Sequence, residues 1–236
     1  MRPTGNNYET ANIVPAKSVP AVLTDFDDTA AEQNVAELLL NRFGHPNWQD
    51  VRQRFRDGEL NLKEYQEITF RDIQASPSDM GQYVQENANF RPHFRELWRH
   101  CQDQGIPMAI LSQGLDFYIE ALLEREGLTA VPVYAVNTQF TPQGITYHYN
   151  YTRPGNEEAG NSKGVVVDTF LEQGHYIFFA GDGASDFEAA ERADMVFAHR
   201  TLARQCTEEN IAFQEFKDFG DMHKAVREFS HNGTKP

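Results

Sequence analysis

The feature that most constrains this chain is a set of short apolar runs, three of which stop at a polar cluster. Ala21-Val22-Leu23-Thr24 ends in Asp25-Phe26-Asp27-Asp28-Thr29, and Met108-Ala109-Ile110-Leu111 ends in Ser112-Gln113-Gly114. Tyr176-Ile177-Phe178-Phe179-Ala180 runs into Gly181-Asp182-Gly183, and Met195-Val196-Phe197-Ala198 forms a fourth run. None of these runs alternates apolar with polar, so both faces of each strand must be buried, as in a parallel sheet covered on both sides. Amphipathic stretches over 91–104, 115–126, 163–173, 184–193 and 202–209 separate or follow the runs and read as helices. The expected fold is therefore α/β, a Rossmann-like parallel sheet with helices on both faces.

Two segments interrupt that alternation. Residues 33–89 hold no convincing strand and read as several short helices, including 34–43 and 60–73, inserted directly after the first acidic cluster. A helical cap over the site would be placed there. Residues 133–149 alternate in a β-rich pattern around Thr141-Pro142-Gln143-Gly144, which predicts a β-hairpin. The expected organisation is a loose leader over 1–19, a core domain from 20–32 and 90–230, the cap over 33–89, and a tail over 231–236.

Composition narrows the function. A formal net charge of −14 argues against a nucleic-acid partner, which needs a basic face. No stretch approaches the roughly 20 apolar residues that span a bilayer, so no membrane partner is expected. Cys101 and Cys206 stand apart from any metal-binding spacing, and a reducing cytoplasm is the simpler setting for them.

Parallel strands of an open sheet deliver their carboxyl ends to one crevice. Asp25, Asp27, Asp28, Ser112, Asp182 and Asp186 would meet there despite their separation along the chain. Carboxylates crowded together raise one another's pKa unless a cation intervenes, and an all-oxygen set without His or Cys suits Mg²⁺. A carboxylate beside a metal and facing a phosphate can act as a nucleophile. Asp25 and Asp27 lie two apart, so in extended backbone both side chains share a face. One can attack phosphorus while the other protonates the leaving oxygen and later activates water. Ser112, with backbone N–H groups of Gln113 and Gly114, would donate to phosphate oxygens. Lys163, after the small-residue turn Asn161-Ser162, would balance the phosphoryl charge and restrain Asp25. Taken singly, each cluster also fits a turn or a helix cap. Together they fall where the sheet needs them.

Over roughly 19–218 the chain resembles the haloacid dehalogenase superfamily, whose four motifs appear in order as Asp25-Phe26-Asp27-Asp28-Thr29, Leu111-Ser112, Lys163 and Gly181-Asp182-Gly183-Ala184-Ser185-Asp186. The resemblance implies a phosphatase with Asp25 as nucleophile, Asp27 as acid and base, and Ser112 and Lys163 on the phosphoryl group. It also implies Mg²⁺ held by Asp25, the Asp27 carbonyl and Asp182, with Asp186 in support. Within the superfamily the chain is similar to the branch that contains phosphoserine phosphatase and a methionine-salvage phosphatase. Phosphoserine phosphatases carry a Glu where this chain has Asn34, a possible substrate contact, and their cap Arg has no secure counterpart here. The expected substrate is a small-molecule phosphate ester, with a methionine-salvage or related metabolite favoured over phosphoserine. A phosphotransferase with the same Asp25 chemistry, or a binding module that has lost turnover, are the competing readings.

Overall fold

A computed structural model describes residues 19–232 of the chain. The leader expected over 1–19 and the tail expected over 231–236 lie outside them, apart from Val19 and the last turn of the final helix. Seven strands form one sheet in the order β4-β3-β2-β1-β5-β6-β7. Strand β1 (Val19–Thr24) sits at its centre, parallel to β2 (Met108–Leu115) on one side and β5 (His175–Gly181) on the other. Beyond them β3 (Val133–Thr141), β6 (Met195–Ala198) and β7 (Phe213–Glu215) are also parallel, and β4 (Gly144–His148) alone runs antiparallel, as a hairpin with β3. This is the expected α/β architecture, with the expected hairpin at one edge.

The sheet stands on two cores, one per face, because successive side chains of a strand point oppositely. Val22, Ile110, Phe178 and Phe197 pack on one side with α5 (Phe94–Gln104), α6 (Asp116–Arg125) and α10 (Phe219–Asn232). Ala21, Leu23, Leu111 and Phe179 pack on the other with α7 (Lys163–Glu172) and α9 (Arg200–Glu208). Helix α5 stops at Gly105, whose φ of 66° closes the helix and returns the chain to β2.

Register places the chemistry. Thr24 pairs with Ile110 on one side and Ala180 on the other, so Asp25, Ser112 and Asp182 leave the sheet at one edge. The chain order reverses at β1, which makes that edge a switch-point crevice.

Between Ala31 and Phe90, which pair as an antiparallel bridge, the chain forms four helices: α1 (Val35–Phe43), α2 (Trp48–Arg56), α3 (Leu62–Arg71) and α4 (Pro77–Asn87). Capping boxes start α3 at Asn61 and α4 at Ser76. Helix α4 rests on core helix α6, where Gly81 lies against the Ala121 methyl, and Arg125 donates to the carbonyls of Gln85 at 2.5 Å and Ala88 at 2.7 Å.

Three local expectations change. Strand β2 does not stop at Leu111 but continues irregularly to Leu115, and its register with β3 shifts across Ser112-Gln113-Gly114. Gln113 donates to the Asn161 carbonyl at 2.7 Å, which holds that segment extended, and the helix starts only at Asp116. The helix expected over 184–193 is a tight turn, Ala184–Asp186, followed by the short α8 (Phe187–Ala190), because the Asp186 carboxylate draws the turn inward. Strand β7 and helix α10 carry no counterpart in the sequence reading.

Candidate active site

The first strand delivers Asp25 in extended backbone, φ −63° and ψ 165°. The chain then makes a wide turn closed by Ala30 N–H to Asp25 O at 3.2 Å and Ala31 N–H to Phe26 O at 2.8 Å. Asp28 lies inside this turn at φ 60°, a left-handed conformation that aspartate tolerates better than most residues. Arg91 braces the turn from outside, donating to the carbonyls of Asp28 at 2.6 Å and Thr29 at 2.8 Å.

Asp25 is buried, and its Oδ1 accepts from Lys163 Nζ at 2.5 Å. The same ammonium donates to Asp186 Oδ1 at 2.5 Å. Lys163 opens α7 directly after the capping residue Ser162, which orients the side chain toward the sheet edge. Burial would lower the Lys163 pKa, but the two carboxylates prevail and hold it above the usual value. Asp25 is pushed well up, first by burial, then by Asp186 and Asp182, against the pull of Lys163. Asp182 is pushed up to about 6 by burial, Asp186 and Asp28, with Lys163 and Arg200 opposing. One ammonium does not offset three carboxylates.

Asp186 is fully buried and fully engaged. Besides the ammonium, it accepts the backbone N–H groups of Asp182 and Gly183, both at 2.9 Å. It therefore builds the loop that presents Asp182. Asp25, Asp182 and Asp186 bring one oxygen each within 4.8 Å of one another. With Asp186 spent on its own partners, Asp25 and Asp182 are the carboxylates left to receive a hard cation. Their oxygen-only chemistry and surplus of negative charge fit such an ion.

Asp27 faces the cavity from the other side of the turn. Its Oδ1 accepts from Val35 N–H at 2.6 Å and Ala36 N–H at 3.3 Å, the first turn of α1, and its Oδ2 accepts from the Tyr118 hydroxyl at 3.0 Å. Burial raises Asp27 to about 6, with these three donors limiting the rise. A carboxyl group poised there can give and take a proton near neutrality.

Ser112 is buried and its Oγ accepts from Gly114 N–H at 2.9 Å, which leaves the hydroxyl proton free to donate. Gly114 N–H, expected to face a phosphate oxygen, is thus turned onto Ser112 instead. A side chain at Gly114 has no room, since a Cβ there would lie 1.8 Å from the Tyr118 hydroxyl. Asn34, read as a possible substrate contact, has its carbonyl oxygen capping α1 at Glu37 N–H, 2.9 Å, and its amide on Asp28 Oδ2, 3.3 Å.

Asp25, Asp27, Asp28, Asn34, Ser112, Gly114, Tyr118, Lys163 and Asp182, but not Asp186, border one cavity of about 300 Å³ between the sheet edge and helices α1 to α3. The sequence reading missed Tyr118, Arg91 and Arg200. Arg200 pairs with Asp28 at 2.5 Å and reaches Asp182 at 3.4 Å. Tyr118 is four residues past Gly114 on α6, a spacing that carries a signal only once the strand end is known.

A family model described as haloacid dehalogenase-like hydrolase matches residues 22–191. A 2-hydroxy-3-keto-5-methylthiopentenyl-1-phosphate phosphatase of Lysinibacillus sphaericus is 27% identical over 216 residues, covering 89% of this chain and 94% of that protein. Pdp3-interacting factor 1 of Schizosaccharomyces pombe is 26% identical over 221 residues, covering 87% and 94%. Among solved structures, a phospho-aspartyl intermediate analogue of phosphoserine phosphatase superposes with a TM-score of 0.64 at 16% identity, over 89% of this chain and 99% of that one. At that identity the likeness speaks for the fold.

Proposed function

Since the chain belongs to the haloacid dehalogenase-like hydrolase family, we propose that it is a Mg²⁺-dependent phosphatase of a small-molecule phosphate monoester, working through an aspartyl-phosphate at Asp25. The observation that carries this reading is the placement of Asp25, held at 2.5 Å by Lys163 and facing a cavity shared with Asp27, Ser112 and Asp182.

The ester's phosphoryl group lies between Ser112 and Lys163, which donate to its oxygens and offset its charge. Asp25 attacks phosphorus with a carboxylate oxygen, and the bond from phosphorus to the ester oxygen breaks. Asp27 in its acid form passes its proton to the departing oxygen. Water then enters, Asp27 as carboxylate takes its proton, and the hydroxide attacks phosphorus to release inorganic phosphate and restore Asp25. A value near 6 suits Asp27 to both halves of this cycle. Tyr118 and the α1 N–H groups hold its carboxylate in place throughout.

Asp25, the Asp27 backbone carbonyl and Asp182 would hold Mg²⁺. When bound it supplies the positive charge that keeps Asp25 and Asp182 ionised and stabilises charge on the phosphoryl oxygens. Similarity to phosphatases named for a methylthiopentenyl phosphate supports a methionine-salvage or related metabolite as substrate. The cysteines, buried and unpaired, support the reducing cytoplasm as its setting.

The test is phosphate release from an aryl phosphate with Mg²⁺, comparing wild type with Asp25→Asn. Release should vanish in the variant while its unfolding transition persists. Undiminished release would overturn the mechanism.

A further inference from the structure

The cap side of the cavity holds a polar group that the chemistry at Asp25 leaves unused. Helix α3 presents Leu62, Tyr65, Gln66 and Phe70 to the cavity, the spacing of one helical face. Three of the four are apolar or aromatic. Gln66 is only 6% exposed, yet its carboxamide hydrogen-bonds to none of the described residues. Its backbone carbonyl accepts from Thr69 Oγ1, and nothing holds the side chain. Amides this deep in a fold nearly always have a partner, and this one, without a partner among the described residues, borders the cavity and can take one from whatever occupies it. The space beside it is the substrate cavity.

The surroundings of that amide define what can sit there. Phe55 stacks on Tyr65 with ring centroids 5.1 Å apart and an interplanar angle of 19°. Phe70, 1% exposed, meets Phe117 edge-on at 6.4 Å. The nearby charges are spent or exposed. Arg52 is paired with Glu37, and Arg56 lies exposed at the rim. Asn34 is committed between Asp28 and the start of α1. An ammonium brought against this wall would lose its water without gaining a counter-ion, and a carboxylate would find a cation only at the exposed rim, in Arg56.

On the reading of Asp25 as a phosphatase nucleophile, we propose that Gln66 recognises the organic half of the substrate, an uncharged chain bearing a neutral hydroxyl or carbonyl oxygen beside an apolar segment. A carboxamide offers both N–H donors and a carbonyl acceptor, so it serves either oxygen function. The apolar segment packs on Tyr65, Phe55 and Phe70. Amino-acid phosphates, with two charges on the organic half, are poor matches to this wall.

Three esters of similar size test the idea: 2-oxopentyl phosphate, n-pentyl phosphate and O-phosphoserine, each assayed with wild type and with Gln66→Met, which keeps length and removes the amide. Wild type should favour the keto ester over the alkyl ester by about tenfold in kcat/KM, the upper range for one neutral hydrogen bond, with phosphoserine below both. In the variant the keto-to-alkyl ratio should collapse toward one. The ligand-free variant should keep the wild-type melting temperature, because the amide it loses faces the cavity and binds no other group of the cap. An unchanged ratio, or phosphoserine as the best of the three, overturns the proposal. So does a lower melting temperature with equal loss on both pentyl esters, which would assign Gln66 to cap folding. Wild type that releases phosphate from none of these esters nor from an aryl phosphate would instead overturn the phosphatase reading itself.

Discussion

Replacing Lys163 with Met probes the electrostatic centre of the site. The ammonium is 3% exposed and lies at 2.5 Å from oxygens of both Asp25 and Asp186, themselves 8% and 0% exposed at the side chain. Methionine fills a similar volume, so the perturbation is the loss of charge rather than a cavity. Two buried carboxylates are left without their cation, and breaking a buried pair in this way costs about 3–5 kcal/mol. For a chain of this size that corresponds to a melting temperature lower by roughly 6–20 °C.

The sign with pH distinguishes this cause from a packing defect. Asp25 already sits above its ordinary value in the metal-free chain, and losing Lys163 raises it further. A carboxyl group raised on folding binds more protons in the folded state than in the unfolded state, so its contribution to stability falls as pH rises above the unfolded value near 4. The deficit of Lys163→Met relative to wild type should therefore be larger at pH 8 than at pH 5. Urea unfolding of both proteins in EDTA at the two pH values measures it. A deficit below about 1 kcal/mol, or one equal at both pH values, would refute the view that Lys163 neutralises the buried carboxylates.

Gly114→Ala should lower kcat by pushing the Asp27 carboxylate out of place, since the added Cβ would lie 1.8 Å from the Tyr118 hydroxyl bound to it and 3.1 Å from Asp27 Oδ2. Adding Tyr118→Phe should recover part of the rate, and a double variant no better than Gly114→Ala would locate the damage elsewhere. Arg91→Met removes donors from the Asp28 and Thr29 carbonyls and should destabilise the fold by about 1–2 kcal/mol, discounted for the exposure of this half-buried side chain; urea midpoints at a common slope check it. His199 is pushed down to about 4 by burial and by Arg91 and Arg200, from an ordinary value of 6.5. The folded chain then binds fewer protons than the unfolded chain between those values, so this group's stabilisation is lost on acidification through that window. His199→Gln should flatten the acid slope of urea midpoints between pH 7 and 4.5, and an unchanged slope would assign it to the carboxylates alone.

Strands β1, β2, β5 and β6 were legible in the sequence because burial on both faces leaves no alternation to misread, and the exits of β1 and β5 were legible because each stops at a polar cluster, whereas β2 runs on through its cluster to Leu115. That is why Asp25, Ser112 and Asp182 could be expected at one edge before the pairing of Thr24 with Ile110 and Ala180 was seen. Arg200 was not legible: it reaches Asp28 and Asp182 from the start of α9, at φ 50°, and no periodicity marks a single long-range contact. Gln66 was legible in principle, a polar residue inside the apolar stripe of α3, but its meaning depends on burial without a partner. As residues alone, Asp182 and Asp186 could both cap the helix that follows, and only the family resemblance made Asp182 the ligand and Asp186 its support. Geometry separates them, since every Asp186 oxygen is bound within the protein while Asp182 borders the cavity. A chain with net charge −14 repels phosphate esters at long range, so attraction has to be built at short range. On the proposed reading that falls to Lys163 and to a cation that Asp25 and Asp182 would hold, so the surplus of carboxylates around Asp25 would serve to recruit that cation.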